Sequence, residues 1–476
     1  MSNKRKYISE EFLAECEEKF KSDPINIVAR NAINSVGSMF STVNSTRVNQ
    51  ISHLFLNTVK RKNVKSTNQG ASGRCWMFAA LNTFRHLMMN ALDLENFEFS
   101  EVYLFFWDKL ERANSYLRWF IDHPDEPIGA RPYEYMISDY MCDGGWWNTF
   151  ANLVNKYGLV PKEAMKETYQ SDDSEDMNKI IKERLDSTVN RLRINRAQMT
   201  KHEVERLRKT TLIQIYETLV KFLGEPPKRF DWQFSQEEGA SIVSKLTPKG
   251  FLEMVAPSLD MNKDFVTLAH IPIPSLKYYQ LYRIRNTANV AEGECATFFN
   301  VPLHELSKYA IKSISKGFAV WFSGDVRKQF NWFHSCLDDA LDDSQRVFGE
   351  TPEFAKGDRI LMRNVQGNHA MLLTGFNLDE KERPVNWQVE NSWGYYDHEV
   401  PGLDGFLSMS HSWFEKYVID IVVHREFLSR TLRKRLKGEV IELDPWDCIA
   451  PALRVGTVAP PKGYVEWMER KRKGTV

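Results

Sequence analysis

Gln69-Gly70-Ala71-Ser72-Gly73-Arg74-Cys75-Trp76 is the stretch on which the reading of this chain turns. From Cys75 onward, Trp76, Ala79, Ala80, Phe84, Leu87 and Met88 keep an i, i+3/i+4 rhythm, the mark of a helix with an apolar face. Ser72 or Gly73 is positioned to begin that helix, which predicts Cys75 in its first turn. A cysteine that attacks a carbonyl must be a thiolate. A helix N-terminus, a nearby cation such as Arg74 and a histidine able to take up and return the proton all favour that form. The tetrahedral intermediate needs donors aimed at its oxyanion, and Gln69, six positions before the cysteine, can fold its amide beside the Cys75 N–H. One loop then carries nucleophile and oxyanion hole together.

Outward from this loop the chain changes period. Ser100–Trp119 reads as a second aromatic helix, and the turn Asp143-Gly144-Gly145-Trp146-Trp147 opens another that Gly158 stops. Residues 171–221 alternate charges with sparse leucine and isoleucine, which predicts a long helical hairpin lying on a surface and ended by Gly224-Glu225-Pro226-Pro227. Residues 1–60 read as a helical arm. Phe318–Phe322, Ala370–Phe376, Asn386–Glu390, Phe406–Met409 and Ile419–Val423 are short apolar or alternating runs, so an antiparallel sheet or barrel is predicted in the last third.

Composition sets outer limits. The 476 residues have room for about three domains of roughly 150 residues each, or for one large α+β enzyme with an insertion. Lys plus Arg and Asp plus Glu are both 63, so the whole chain makes no electrostatic claim on nucleic acid or membrane. No window reaches the roughly 18 apolar residues of a bilayer span, and Met1 to Phe20 is charged throughout, which predicts a cytoplasmic protein without an export signal. Six cysteines without a C-x-x-C pair predict free thiols in a reducing compartment. Away from Cys75 they read as small hydrophobes, and histidines other than His369 are left without a role.

The Gln69-to-Cys75 offset followed by Trp76 resembles the nucleophile motif of papain-like cysteine peptidases. The resemblance extends to His369 in Asn368-His369-Ala370-Met371-Leu372 and Asn391 in Glu390-Asn391-Ser392-Trp393-Gly394, which match the family's general-base and orienting positions. An Asn oxygen on one imidazole nitrogen turns the other toward the thiol, and Trp393 is the candidate shield of that bond. His369 follows Cys75 by 294 residues, far beyond the roughly 130–150 of secreted papain-like enzymes, so a large insertion is required. That insertion, and Ser72 where secreted members have a disulfide cysteine, resemble the bleomycin hydrolase branch. So do Phe99–Asn114, Asp143–Gly145, Lys156–Pro161 and Trp321–Val326.

The resemblance implies an α+β fold, with a papain-like core of a helical subdomain plus an antiparallel β-barrel-like subdomain, and a helical hook insertion. It divides the chain into an arm at 1–60, a nucleophile-bearing subdomain at 61–165, the hook at 166–260, a β subdomain at 261–453 and a tail at 454–476. It further implies cysteine-type removal of N-terminal residues from peptides and aminoacyl amides, hydrolysis of the bleomycin carboxamide, no metal or organic cofactor, and a hollow homohexamer. In that family the chain ends in the cleft, where its terminal carboxylate pairs with the substrate's free α-amino group. Here Pro445–Leu453 resembles the closing segment, yet 23 residues follow. Three outcomes are open: self-processing near Leu453, a tail that threads past the cleft and weakens selection for free amino groups, or a tail that occupies it; the first two are expected over the third, because a self-removing end suits a family whose members can trim their own terminus. A second function class, a nucleic-acid-binding or scaffold ring, would draw on the basic run Arg470-Lys471-Arg472-Lys473. A transglutaminase-like enzyme fits less well, since its orienting residue is Asp and it lacks the Gln offset.

Overall fold

The computed structural model describes residues 7–59, 64–236, 239–394, 405–456 and 458. Two amphipathic helices, α1 (Glu10–Ser22) and α2 (Pro24–Val36), lead in, N-capped by the side chains of Ser9 and Asp23. Neither buries a residue. The next helix, α3 (Cys75–Ala91), is the opposite case: all of it is buried except Leu87, Asn90 and Ala91, as expected of a helix apolar on every side. Packed around it are α4 (Glu101–Asp122), N-capped by Ser100, and α5 (Trp147–Tyr157). The charged stretch forms the hairpin of α6 (Glu175–Asn195) and α7 (Lys201–Leu223), whose buried Met177, Ile181, Leu185, Ile215 and Leu219 turn one stripe inward, with α4 as neighbour.

The segment after this hairpin departs from the expectation of a wholly helical insertion across 166–260. Strands β1 (Phe230–Gln236) and β2 (Gly239–Leu246) form an antiparallel hairpin. The alternation Phe230, Trp232, Phe234 carried that signal, and it sets Trp232 edge-on to Phe97 and Phe251.

The C-terminal half is a sheet built from β3 (Phe265–Ala269), β4 (Gln280–Ile284), β5 (Thr297–Asn300), β6 (Val320–Gly324), β7 (His369–Leu378), β8 (Pro384–Glu390), β9 (Phe406–Ser410), β10 (Val418–His424) and β11 (Val440–Leu443). Its order is β11-β4-β5-β3-β10-β6-β7-β8-β9, continued by short strands at Cys336–Leu337 and Phe330–Asn331. The centre is antiparallel, as the alternating runs suggested, whereas β11–β4, β3–β5 and the β9 edge pair in parallel. Register brings His369 opposite Gly324 and Leu372 opposite Trp321, which holds the first residue of β7 at the sheet end facing α3.

Gly158 ends α5 with φ 77°, a conformation that disfavours any side chain. A β-carbon there would also run into the carbonyl of Pro248. Gly158→Ala is therefore expected to cost about 1–3 kcal/mol of stability, read as a lower urea midpoint; an unchanged midpoint would contradict the strain.

Candidate active site

Cys75 is the first residue of α3, and Arg74, not Ser72 or Gly73, holds the N-cap position without a side-chain cap bond. The Ser72 oxygen accepts instead from the Arg74 Nε–H at 2.8 Å, while its hydroxyl donates to the Gln69 carbonyl at 2.6 Å. The free first-turn N–H groups therefore remain for other partners. Those of Cys75 and Trp76 act on the Cys75 sulfur, and the Ala370 N–H donates to Sγ at 3.4 Å. Ala370 follows His369 in β7, so this bond brings the backbone beside His369 to Cys75 although 294 residues separate the two in sequence.

His369 Nε2 lies 2.8 Å from Asn391 Oδ1, which makes Nε2 the protonated nitrogen and leaves Nδ1 as the acceptor. Nδ1 is buried without a hydrogen bond. Trp393 lies over this pair, its ring centroid 4.8 Å from that of His369. Gln69 is clamped at both ends of its amide. Its Oε1 accepts from the Ser392 hydroxyl at 2.7 Å, and its Nε2 donates to the Ser72 carbonyl at 2.7 Å. An amide nitrogen carries two N–H groups, so one is still free for a substrate oxygen. Trp76 has a supporting place: its Nε1–H donates to the Asp143 carbonyl at 2.8 Å, and its ring packs under Gly145, where a β-carbon would meet it at 2.8 Å.

The cleft between Gly145 and Asn368 is filled by the chain's own C-terminal segment. Val455 pairs with Gly145 in antiparallel fashion, donating to its carbonyl at 3.2 Å and accepting from its N–H at 3.0 Å. The Gly456 N–H donates to the Asn368 carbonyl at 3.2 Å and also acts on the Cys75 sulfur. Gly73, Gly144 and Gly456 lack side chains where backbones meet: a β-carbon on Gly144 would strike the Val455 carbonyl, and one on Gly456 would strike that of Gly73. The helix Ile449–Leu453 just before is buried, with the Gly367 N–H donating to Ala452 at 2.7 Å. Of the three outcomes for the tail, the described residues show the cleft occupied. The residue over Cys75 is Gly456, not Leu453.

This cover reverses the electrostatics expected of a reactive cysteine. Burial pushes the Cys75 thiol up to about 12, against the pull of the Ala370, Trp76 and Gly456 N–H groups, and burial lowers His369 to about 4 in spite of Asn391. The covered pair is a neutral thiol beside a neutral imidazole.

Asn368, which the sequence reading did not assign a role, is itself fixed: its side-chain amide donates to buried Asp325, and its oxygen accepts from the Val326 N–H at 3.1 Å. The Gly324-Asp325-Val326 segment was legible as a family element but not as a brace for the cleft. The Arg470–Lys473 run lies outside the described residues.

A nucleophile on a helix N-terminus, facing a histidine–asparagine pair on an adjoining sheet, defines a papain-like cysteine peptidase. Residues 7–450 match the Peptidase C1-like family, and the chain belongs to that family. Over 440 residues it is 35% identical to aminopeptidase C of Listeria monocytogenes, covering 92% of this chain and 97% of that one. It is 33% identical over 448 residues to human bleomycin hydrolase, at 92% and 97% coverage. A crystal structure of PepW from Lactobacillus rhamnosis superimposes with a TM-score of 0.88 at 28% identity, covering 93% of this chain and 98% of that one. Among the described residues no helix is long and apolar enough to cross a membrane, and the six cysteines are free.

With Gly456 in place, neutral iodoacetamide is expected to label exposed Cys16 before buried Cys75. Labelling of Cys75 should climb as pH rises toward its raised pKa, because only the thiolate reacts. Peptide mapping that found Cys75 modified first at neutral pH in the full-length chain would contradict the covered, neutral site.

Proposed function

We propose that the protein is a cysteine aminopeptidase acting on peptides and aminoacyl amides, and that its own C-terminal segment is its first substrate. The observation that carries this reading is the Val455–Gly456 segment, which makes substrate-like backbone pairs to Gly145 and Asn368 beside Cys75, with Gly456 at φ 87°. In this reading the bond cut is the one that follows Gly456.

Cys75 Sγ adds to the carbonyl carbon, its proton passing to Nδ1 of His369. The oxyanion is held by the Cys75 N–H and the free N–H of the Gln69 amide. The C–N bond then breaks, His369 returns the proton to the departing amine, and a thioester remains. Water, deprotonated by His369, releases the acid and restores the thiol. Asn391 keeps the imidazole turned for both transfers, and Trp393 keeps water from the Asn391 bond. Cleavage after Gly456 leaves a carboxylate in the cleft, where a substrate's α-ammonium can pair with it. That anion selects free N-termini. The aminopeptidase names carried by relatives support the same specificity.

A homohexamer in the cytoplasm is part of the proposal. It is supported by α1 and α2, which leave Phe12, Leu13, Ile25, Val28 and Val36 more than half exposed, and by the free cysteines. A particle of monomer mass in light scattering would overturn the assembly.

Intact-mass analysis is expected to find active protein ending at Gly456, and Cys75→Ala full-length and inactive. Active protein retaining residues beyond 456 would rule out self-removal. Once freed, the enzyme should prefer free-amine peptides to their N-acetylated forms.

Gln69→Ala should lower kcat by on the order of 10²–10³, the usual penalty for one oxyanion donor. Asn391→Ala should cost less, since Trp393 and the β7 backbone still confine the ring. Equal turnover by Gln69→Ala would remove Gln69 from the site.

A further inference from the structure

Arg74 is fully buried, and an isolated guanidinium in such a place would be very costly. Each of its three nitrogens donates, Nη1 by one long contact of 3.4 Å to Glu167 Oε1. Nε–H donates to the Ser72 hydroxyl at 2.8 Å, and Nη2 donates to Glu167 Oε2 at 2.9 Å and to the Ser171 carbonyl at 2.6 Å, with a longer 3.5 Å reach to the Gln69 carbonyl. Its plane rests between Phe78 and Phe105, 5.1 and 5.2 Å from their centroids. Burial raises Glu167, but the guanidinium outweighs it and holds this carboxyl below its usual range. The groups that shift Cys75 most are burial and nearby backbone N–H groups, not Arg74. The cation is thus spent on Glu167 rather than on the sulfur.

The same short segment, 167–172, meets the loop at two further points. The Ala71 N–H donates to the Asp172 carbonyl at 2.8 Å, and Gly70, at φ 61°, would press a β-carbon against that carbonyl at 2.8 Å. Just beyond, the Ser174 hydroxyl and the Asn178 amide donate to Asp143 at 2.5 and 2.8 Å, at the turn that carries Gly144 and Gly145. The base of the helical insertion therefore braces the nucleophile loop and the Gly144–Gly145 wall of the cleft. Among the described residues no disulfide does so.

We infer that Arg74, tied to Glu167 and Ser171 at the base of the insertion, is a positioning residue that fixes the Gln69–Ser72 loop so that the Gln69 amide stays aimed at the oxyanion. This rests on the cysteine-peptidase reading of Cys75 and specifies what sets its oxyanion hole. Lysine in place of Arg74 keeps the charge beside Glu167 but loses the planar fork that reaches Ser72, Ser171 and Gln69 together. The loop would keep its fold and lose its aim.

The test compares two reactions of the same sulfur, as the ratio of amide turnover to alkylation rate, in chains ending at Gly456, the proposed mature form. Neutral iodoacetamide alkylates Cys75 by displacement and forms no oxyanion, whereas hydrolysis of an aminoacyl amide does. The common C-terminus matters because the carboxylate left at Gly456 acts on the amide substrate and not on iodoacetamide. Arg74→Lys is expected to lower that ratio on the order of 10-fold through kcat, with KM little changed. Ser72→Ala, which removes the hydroxyl between Arg74 and Gln69, should lower it in the same sense, and it keeps the test open should Arg74→Lys not fold. An unchanged ratio in the variants that fold, or a parallel fall of both rates, overturns the inference. Absence of Cys75-dependent hydrolysis in the unaltered protein would instead overturn the peptidase reading on which it stands.

Discussion

A single hydrogen bond marks the constraint on which this molecule is organised: the Ala370 N–H, on the first turn of pleat in β7, donates to the sulfur of Cys75, the first residue of α3. It exists only because a helix apolar on all sides is driven into the interior while a sheet presents the end of one strand to it. Everything chemical in the site hangs from those two ends. The helix contributes the nucleophile and its unoccupied N–H groups; the strand contributes His369, and its neighbour β8 leads directly to Asn391.

The cleft between these halves is a place where backbone meets backbone. Glycines at 73, 144 and 456 let the C-terminal segment lie close against the nucleophile loop and the Gly144 turn, and peptide groups of Gly145 and Asn368 supply the hydrogen bonds that hold it. Recognition through main-chain pairing is tolerant of side chains. Occupation by the chain's own end buries the site, and that burial raises the thiol and lowers the imidazole.

The nucleophile loop, the helical hairpin and the central strands were legible because they rest on local chemistry: the Gln69–Cys75 spacing, the 3.6-residue rhythm after Cys75, and alternation in Asn386–Glu390 and Ile419–Val423. The β1–β2 hairpin was missed because the charged helical stretch before it dominated the reading, although Phe230, Trp232 and Phe234 alternate plainly. Ser72 looks like the cap of α3 in isolation, but its oxygen accepts from the Arg74 side chain instead of a helix N–H. Arg74 reads in sequence as a charge for the thiol; in the fold it is buried and paired with Glu167, distant in sequence.

What the residues determined alone was the set of reacting groups and the elements that carry them, since nucleophile, base, orienting amide and helix periodicity are properties of residue type and spacing. Tertiary structure decided which backbone lies in the cleft, which way each donor points and whether the sulfur is wet or dry. Those depend on contacts between segments hundreds of residues apart, and both the protonation of a buried pair and the aim of an amide are set by such neighbours rather than by local sequence.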